Sequence, residues 1–227
     1  MPPNAELEAI RKAQIIDAAL QTITARGCAN VTMDDICKTA GLSKGGLAHY
    51  YKSKNDLFKA TFQEFFQRIF IRGDETMSAF YDPLEQLLAF EWLYNAGDPD
   101  VVTGYPILYD FISIAVHDQE YREIFSDWIN NWVKLLKKAI LLGQSQGRYM
   151  NVDAESAART ISAIYQGIAT RWYLARGEHS TTWAVDSLRR SVKGLLDSYE
   201  GPTTQERRKA KTLKKCGNNK SGMHNVT

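Results

Sequence analysis

The chain has 227 residues, of which 44% are hydrophobic and 11% aromatic, so it is long enough for a small head and a larger buried core. No apolar run approaches the ~20 residues that a membrane-spanning helix needs, and the N-terminus lacks a signal-peptide pattern, so we expect a cytoplasmic protein without a membrane partner. The three cysteines (Cys28, Cys37 and Cys216) are odd in number and widely spaced, which argues against a disulfide framework and a zinc site. A redox-sensing cysteine pair stays open as an alternative.

Charge is distributed unevenly along the chain, whose net charge is +2 at neutral pH. Residues 1–60 carry eight Lys and Arg against six Asp and Glu, residues 61–199 carry 13 against 18, and residues 200–227 carry seven against two. A weakly basic N-terminal part on an acidic body is typical of a protein that meets phosphate groups with one face only.

The first predicted helix spans roughly residues 5–26, where Ile16, Leu20 and Ile23 recur at helical spacing. This apolar stripe predicts that the helix packs on the segment that follows it. That segment, TMDDICKTAGLSKGGLAHYYKSKNDLF, contains the most specific pattern in the chain.

Two short helices around a tight turn are predicted within this segment. Thr32 can cap a helix over 33–40, with Asp35 at the spacing of a reciprocal cap. Gly41 tolerates the left-handed conformation that ends such a helix, and Ser43 can cap the next one over 44–50. The pattern therefore predicts a helix-turn-helix.

The stretch AGLSKGGLAHYYKSKNDLF resembles the signature of the tetracycline-repressor (TetR/AcrR) family of transcription regulators. The specific match covers roughly residues 10–60. The resemblance implies an all-α fold, with a three-helix, helix-turn-helix DNA-binding head over residues 1–58. It also implies a larger helical ligand-binding and dimerisation body over residues 59–200. A three-helix packing unit without a role on DNA is the alternative for the head.

Lys44 is the residue that we expect to read a base. In a helix-turn-helix the first residues of the second helix lie nearest the base edges, and a lysine ammonium can reach the O6 and N7 acceptors of guanine. A solvated surface lysine is the alternative.

Two positions of this helix depart from the family pattern. Gly46 stands where many family members have a small hydroxyl residue, and Ala48 stands where tyrosine is frequent. The contacts with DNA that these two residues can make are therefore close backbone approach or a methyl contact with thymine. Leu47 is expected to face inward.

Further contacts with the DNA backbone follow from the resemblance. His49, Tyr50 and Lys54 match positions at which the family touches the sugar-phosphate backbone, and such contacts set register without reading sequence. Thr32 and Ser43 can add phosphate contacts through the N-termini of their helices, or can serve as caps alone.

A connecting helix is predicted to begin after Ser53, with Asp56 at the third position. Its apolar face, which includes Phe62 and Phe66, is too wide for an exposed helix. We therefore expect it to cross from the head into the body, where a shift of its far end would move the head as a unit.

Four or five further helices are predicted for the body. The first runs from Pro83 to about Ala96, and a segment with two Gly and two Pro interrupts the pattern before a helix over 107–117. A long helix follows over roughly 120–144. Asp153 can cap the next helix, and the last begins near residue 181.

The two closing helices carry apolar stripes, and the resemblance implies that residues near 153–176 and 182–199 form a four-helix dimer interface. Completion of the monomer core is the alternative, which periodicity cannot separate from pairing. A homodimer is favoured because one short reading helix touches few base pairs.

After Gly201 the chain loses apolar periodicity and becomes basic, which predicts a disordered tail. Such a tail has either no role or a nonspecific contact with DNA phosphates.

The body is too large and too aromatic for dimerisation alone, which indicates a pocket for a small apolar or amphipathic effector, as the resemblance also implies. Aromatic residues at helical spacing are more often core than pocket wall. Our candidate wall residues share aromatic side chains in the predicted body helices: Trp92, Tyr109, Trp128, Trp132, Tyr165 and Trp172.

No catalytic, cofactor or metal motif competes with this interpretation, and the four histidines are scattered along the chain. We therefore expect no enzyme and no cofactor, but a homodimeric repressor on double-stranded DNA that a small molecule releases from a palindromic operator. An effector-free architectural DNA-binding protein and a helical enzyme or carrier with a non-binding head are the alternatives.

Overall fold

The computed structural model describes residues 3–200 of the chain. It contains no β-strand within that range and confirms the all-α fold. The basic tail and Cys216 lie outside the described residues, so the predictions about them stay predictions. Nine α-helices follow one another in this part of the chain: α1 (Pro3–Arg26), α2 (Met33–Ala40), α3 (Lys44–Tyr50), α4 (Lys54–Ser78), α5 (Pro83–Leu88), α6 (Pro99–Ala115), α7 (Gln119–Ser145), α8 (Ala154–Leu174) and α9 (Thr181–Glu200).

The predicted caps of the helix-turn-helix are confirmed. The Thr32 side chain accepts a hydrogen bond from the Asp35 amide, and the Asp35 carboxylate accepts one from the Thr32 amide. Gly41 ends α2 with a φ of 64°, which glycine adopts without a steric penalty. Ser43 accepts from the Gly46 amide at the start of α3. Polar groups at the helix ends are therefore satisfied by residues close in sequence.

The core of the head forms where α1 packs on α2 and α4, and α2 packs on α3. Ile15, Ile23 and Ile36 have no exposed surface, and Leu47 is 1% exposed, which confirms that Leu47 faces inward. A short 3₁₀ turn over Cys28–Asn30 joins α1 to α2. Packing of Leu47 fixes α3 against the other two helices and leaves the opposite side of α3 in solvent.

Helix α4 connects the head to the body, as its wide apolar face predicts. Ser53 caps it by accepting from the Asp56 amide, and Phe62 is completely buried. The Phe62 ring lies 4.8 Å from that of Phe111 and 6.0 Å from that of Tyr121, measured between centroids. Because α4 is continuous across residue 58, the head and the body share one rigid element, and the domain boundary there stays a prediction.

The helix predicted over residues 83–96 is shorter than expected, which corrects that prediction. It ends at Leu88, and a separate 3₁₀ turn spans Glu91–Tyr94. The chain leaves the α-helical conformation at Phe90 (φ −99°, ψ 27°), and Phe90 and Tyr94 are then both buried without exposed surface, so packing of these rings overrides the local helical pattern.

The helix predicted over residues 107–117 begins eight residues earlier, at Pro99, which corrects a second prediction. Asp98 caps it and Pro99 occupies its first turn, where proline is tolerated. Pro106 lies inside the helix without the amide that would bond to the fourth preceding carbonyl. A Cβ atom at Gly104 would lie 2.9 Å from Phe65 Cζ, so this glycine allows close packing on α4 and does not break the helix.

The remaining helices agree with prediction to within about a turn at their ends. Asp153 caps α8 by accepting from the Ser156 amide, as predicted, and Ser180 accepts from the Trp183 amide at the start of α9. The apolar stripes of α8 and α9 lie largely inside the body, where Ile161, Leu188 and Val192 have no exposed surface. These stripes therefore complete the core of one chain, and any pairing surface must lie on the other faces.

Candidate nucleic-acid interface and ligand cavity

Helix α3 presents the polar residues predicted to read DNA on its exposed side. The Lys44 side chain is 78% exposed, and its Nζ lies 2.7 Å from Asp34 Oδ2 on α2. The hydrogen bond that Lys44 donates to the Asp34 carboxylate raises the pKa of Lys44, so the ammonium is charged at neutral pH. An ion pair this exposed exchanges easily with other partners, and Lys44 can therefore reach a base or a phosphate.

The other predicted residues of the reading surface are placed around Lys44. His49 is exposed and its ring lies 5.0 Å from the half-buried Tyr50 ring, edge to face. Gly46 exposes its backbone near the Ser43 hydroxyl. Thr32 and Ser43 are exposed but already serve as caps, so an approaching phosphate would share these helix N-termini with the side-chain oxygens.

Lys54 lies differently from the other predicted residues. Its Nζ donates to the Cys28 carbonyl oxygen at 3.0 Å and lies 4.9 Å from the centre of the Phe58 ring. The ammonium is thus held against the head rather than extended into solvent. Lys52, which sequence reasoning did not single out, is exposed in the link between α3 and α4. Its place in the YKSK run was the signal that could have identified it.

An apolar cavity of about 100 Å³ lies in the body, between α4, α6, α7 and α8. A body without a cavity would favour the effector-free architectural alternative, so this finding does not favour it. Eight aromatic side chains form much of the cavity wall: Phe65, Phe66, Trp92, Tyr105, Tyr109, Trp128, Trp132 and Tyr165.

Five of the six predicted wall residues border this cavity: Trp92, Tyr109, Trp128, Trp132 and Tyr165. The sixth, Trp172, packs beside it on Tyr94 and Tyr105, and its indole N–H donates to the Thr181 hydroxyl oxygen. Tyr105 was missed because the sequence placed it in a break between helices rather than within α6.

Two buried donors on the wall have no acceptor among the described residues. These are the indole nitrogens of Trp92 and Trp128. Two tyrosine hydroxyls of the wall are satisfied by contrast, since Tyr105 donates to the Leu93 carbonyl and Tyr165 to the Leu87 carbonyl. A buried donor without a partner costs free energy, so the cavity suits a molecule that carries an acceptor atom.

A charged group lies beside Trp92 and contributes Asp100 to the cavity lining. The Arg72 guanidinium lies 3.8 Å from the centre of the Trp92 ring and donates to both Asp98 and Asp100. Hydrogen bonds from Arg72 lower the pKa of Asp98, so this carboxylate is ionised at neutral pH. With Asp100, which lines the cavity, two carboxylates surround one guanidinium and leave a net negative charge at the wall.

The described residues show no cluster of His, Cys, Asp and Glu that could hold a metal ion. None of their helices is long and apolar enough to cross a membrane. Cys28 and Cys37 are buried free thiols, and burial raises the pKa of Cys28 to about 12. Its thiol is therefore protonated at neutral pH, which disfavours reaction with oxidants.

Both the N-terminal and the C-terminal part of the chain are similar to known protein families. A model of bacterial regulatory proteins of the tetR family matches residues 15–61, and a model of the C-terminal part of BetI-type transcriptional repressors matches residues 106–197. The HTH-type transcriptional regulator BetI of Cronobacter sakazakii is 37% identical over 186 residues, which are 82% of this chain and 81% of that protein.

Two solved structures share the fold. A TetR transcription regulator from Haloarcula marismortui matches with a TM-score of 0.70 and 23% identity, over 84% of this chain and 98% of that one. A transcriptional regulator from Saccharomonospora viridis in complex with choline matches with a TM-score of 0.70 and 20% identity, over 83% and 96%. At this level of identity the two likenesses show a shared fold.

Proposed function

Since the chain belongs to the TetR family of bacterial regulatory proteins, which are ligand-responsive DNA-binding repressors, we propose that it binds an inverted-repeat operator as a homodimer and leaves it when a small organic cation fills the cavity. The observation that carries the proposal is a reading head joined by one continuous helix, α4, to a cavity with aromatic walls and a negative edge.

The DNA-binding part of the proposal rests on the exposed side of α3. The proposal assigns base reading to Lys44, which is exposed at the start of α3, and phosphate contacts to His49, Tyr50 and the N-terminus of α3 at Ser43. Lys54 reaches a phosphate only if its ammonium leaves the Cys28 carbonyl.

Pairing of two chains is supported by the outer faces of α8 and α9. Ala163, Gly167 and Leu174 share one outward stripe at helical spacing, and Leu174 is 66% exposed. Ser191 and Gly194 lie on the outer side of α9. Small residues let helix axes approach closely, so these faces suit a four-helix contact with a second copy.

The choice of an organic cation rests on three properties of the cavity. Aromatic faces attract a quaternary ammonium, the carboxylates beside Arg72 leave a net negative charge, and the indole donors of Trp92 and Trp128 need an acceptor. Choline, which the Saccharomonospora viridis protein holds, combines a quaternary ammonium with a hydroxyl oxygen. An apolar cavity of roughly 150 Å³ accommodates benzene, so a ligand of that size must push these walls outward.

Calorimetric titration with three matched compounds tests the proposed ligand chemistry. Choline should bind more tightly than 3,3-dimethyl-1-butanol, its uncharged isostere, because the isostere loses the cation–π and carboxylate attraction. Choline should also bind more tightly than tetramethylammonium, which lacks the acceptor oxygen. Equal binding of choline and the uncharged isostere would exclude a cation site.

Footprinting on a duplex that the protein selects from a random-sequence pool tests the DNA part. A homodimer should protect an inverted repeat whose half-site centres lie about 34–36 Å apart, or a multiple of that distance. Choline should reduce the protection. A single asymmetric half-site bound by a monomer would contradict the proposed assembly.

A further inference from the structure

Asp110 joins the wall of the cavity to the head. It lies on α6 directly after Tyr109, which lines the cavity. Its Oδ2 atom accepts a hydrogen bond of 2.7 Å from the Cys28 amide, in the 3₁₀ turn between α1 and α2. One side chain thus connects a helix that borders the cavity with the segment on which the helix-turn-helix begins.

The connection continues through Cys28 to α4. The Cys28 carbonyl oxygen accepts from Lys54 Nζ at 3.0 Å, and Lys54 is the first residue of α4. Cys28 therefore donates a hydrogen bond to Asp110 through its amide and accepts one from Lys54 through its carbonyl oxygen. A rotation of its two peptide groups would change both hydrogen bonds together.

The two helices that form opposite walls of the cavity also carry the residues of this connection. Helix α4 contributes Phe65 and Phe66 to the wall and α6 contributes Tyr105 and Tyr109, so a ligand between them separates the two helices. A hydrogen bond of 2.7 Å weakens steeply once its atoms move apart by a few tenths of an ångström or lose alignment. The Asp110 link is therefore sensitive to small movements of α6.

We propose that Asp110 is the positioning residue that transmits the separation of α6 from α4 to the head, through the Cys28 peptide and the Lys54 ammonium. The inference rests on the proposed function for its physiological ligand. The coupling between the cavity wall and operator affinity does not depend on which molecule binds.

A wedge built into the chain tests this link without any ligand. Gly104→Ala places a Cβ atom 2.9 Å from Phe65 Cζ, at the contact between α6 and α4, so the Phe65 ring or the two helices must shift. We expect this substitution to weaken binding to the selected duplex about fivefold or more, the lower end of typical allosteric coupling. In an Asp110→Ala background the same wedge should change affinity by less than about twofold.

Two further backgrounds separate the role of Asp110 from general loosening. Asp110→Asn keeps an acceptor oxygen and should preserve most of the wedge effect. Tyr121→Phe removes a different bond between body and head, from the Tyr121 hydroxyl to Asn55 Oδ1 at 2.8 Å, and should leave the wedge effect unchanged.

Removal of the donor gives an independent variant in case Asp110→Ala folds poorly. Cys28→Pro eliminates the amide that Asp110 accepts from, and the ψ of 146° at Gly27 is compatible with a following proline. It should suppress the wedge effect as Asp110→Ala does, and the two together should suppress it no further.

The inference is overturned if the wedge weakens operator binding equally with and without Asp110, or if the wedge has no effect on operator binding. Titration of the wild-type protein with choline in parallel distinguishes failure of the proposed ligand from failure of the proposed role of Asp110. Failure of choline to release the duplex counts against the proposed ligand, whereas the Gly104 comparison decides the role of Asp110 in either case.

Discussion

The head and the body differ in the range over which their stabilising interactions act. In the head, Thr32, Gly41 and Ser43 order the short helices α2 and α3, and Ser53 caps the start of α4, through hydrogen bonds or backbone geometry within about five residues. In the body, rings from distant segments pack on one another, as Phe62 does on Phe111 and Phe66 does on Trp128 at 4.8 Å.

This difference separates the surface that binds from the core that stabilises. Helices α2 and α3 are short and expose their polar residues, so substitutions on α3 are expected to alter affinity more than stability. The body buries large rings around a cavity, so substitutions there are expected to alter stability and ligand response together. The following predictions test this separation, from the largest expected effect to the smallest.

Phe62→Ala should lower the free energy of unfolding by about 3–5 kcal/mol. The side chain has no exposed surface and joins α4 to α6 and α7, so its removal leaves a cavity. Denaturant unfolding measures the change. Phe80→Ala is the control, because Phe80 is 40% exposed and should cost less than about 1 kcal/mol. Similar losses for both variants would mean that α4 is not held by burial of its rings.

Lys44→Ala should weaken binding to the selected duplex about tenfold and relax base preference at one position in each half-site, because a base contact by its ammonium is lost. Its stability should change little, since the side chain is 78% exposed. Affinity for single-base variants of the duplex checks the expectation. Lys134→Ala, an exposed lysine of the body, should bind as the wild type does. An unchanged base preference would exclude Lys44 as a base reader.

Thr32→Ala should lower the free energy of unfolding by about 1 kcal/mol, because it removes the cap of α2. Thr32→Ser keeps the hydroxyl and should retain most of the stability. Thermal unfolding of the two variants against the wild type gives the difference. Equal losses for alanine and serine would show that the methyl group, and not the hydroxyl, stabilises the turn.

Acid should remove part of the stability of the same turn. Hydrogen bonds from Thr32 lower the pKa of Asp35 to about 2, below its ordinary value. Because the folded pKa is depressed, this contribution is fully present above pH of about 4 and is lost as the pH falls toward 2. Unfolding measured across this range in the wild type and in Asp35→Asn should give curves that converge at low pH. A constant separation would contradict the role of the ionised carboxylate.

Lys54→Ala should reduce the slope of log affinity against log salt by about 0.9 if the ammonium contacts a phosphate. The hydrogen bond to Cys28 offers a different outcome, an unchanged slope with a less stable head. Affinity for the selected duplex at several salt concentrations separates the two. An unchanged slope would remove Lys54 from the interface and leave it as a contact within the head.

The sequence alone predicts those parts of the fold that depend on neighbouring residues. Thr32, Gly41 and Ser43 give the helix-turn-helix with its caps, because each acts on groups a few positions away. Apolar periodicity gives the existence of the connecting helix, and it gives the three long or late helices to within about a turn. The same local patterns suggest which residues α3 exposes, although their contacts with DNA stay predictions.

Only the tertiary structure determines where a helix begins and ends when the local sequence pattern indicates a break but packing favours a continuous helix. In the sequence, Gly104 and Pro106 indicate a break between helices, yet α6 continues through both. Gly104 fits closely against Phe65, and burial of one face of the helix compensates for the hydrogen bond that Pro106 cannot donate. The link from Asp110 to Cys28 spans 82 positions, so no sequence spacing indicates it. The exclusion of Trp172 from the cavity wall has the same cause, because burial among distant rings depends on how the helices cross rather than on the period of any one helix.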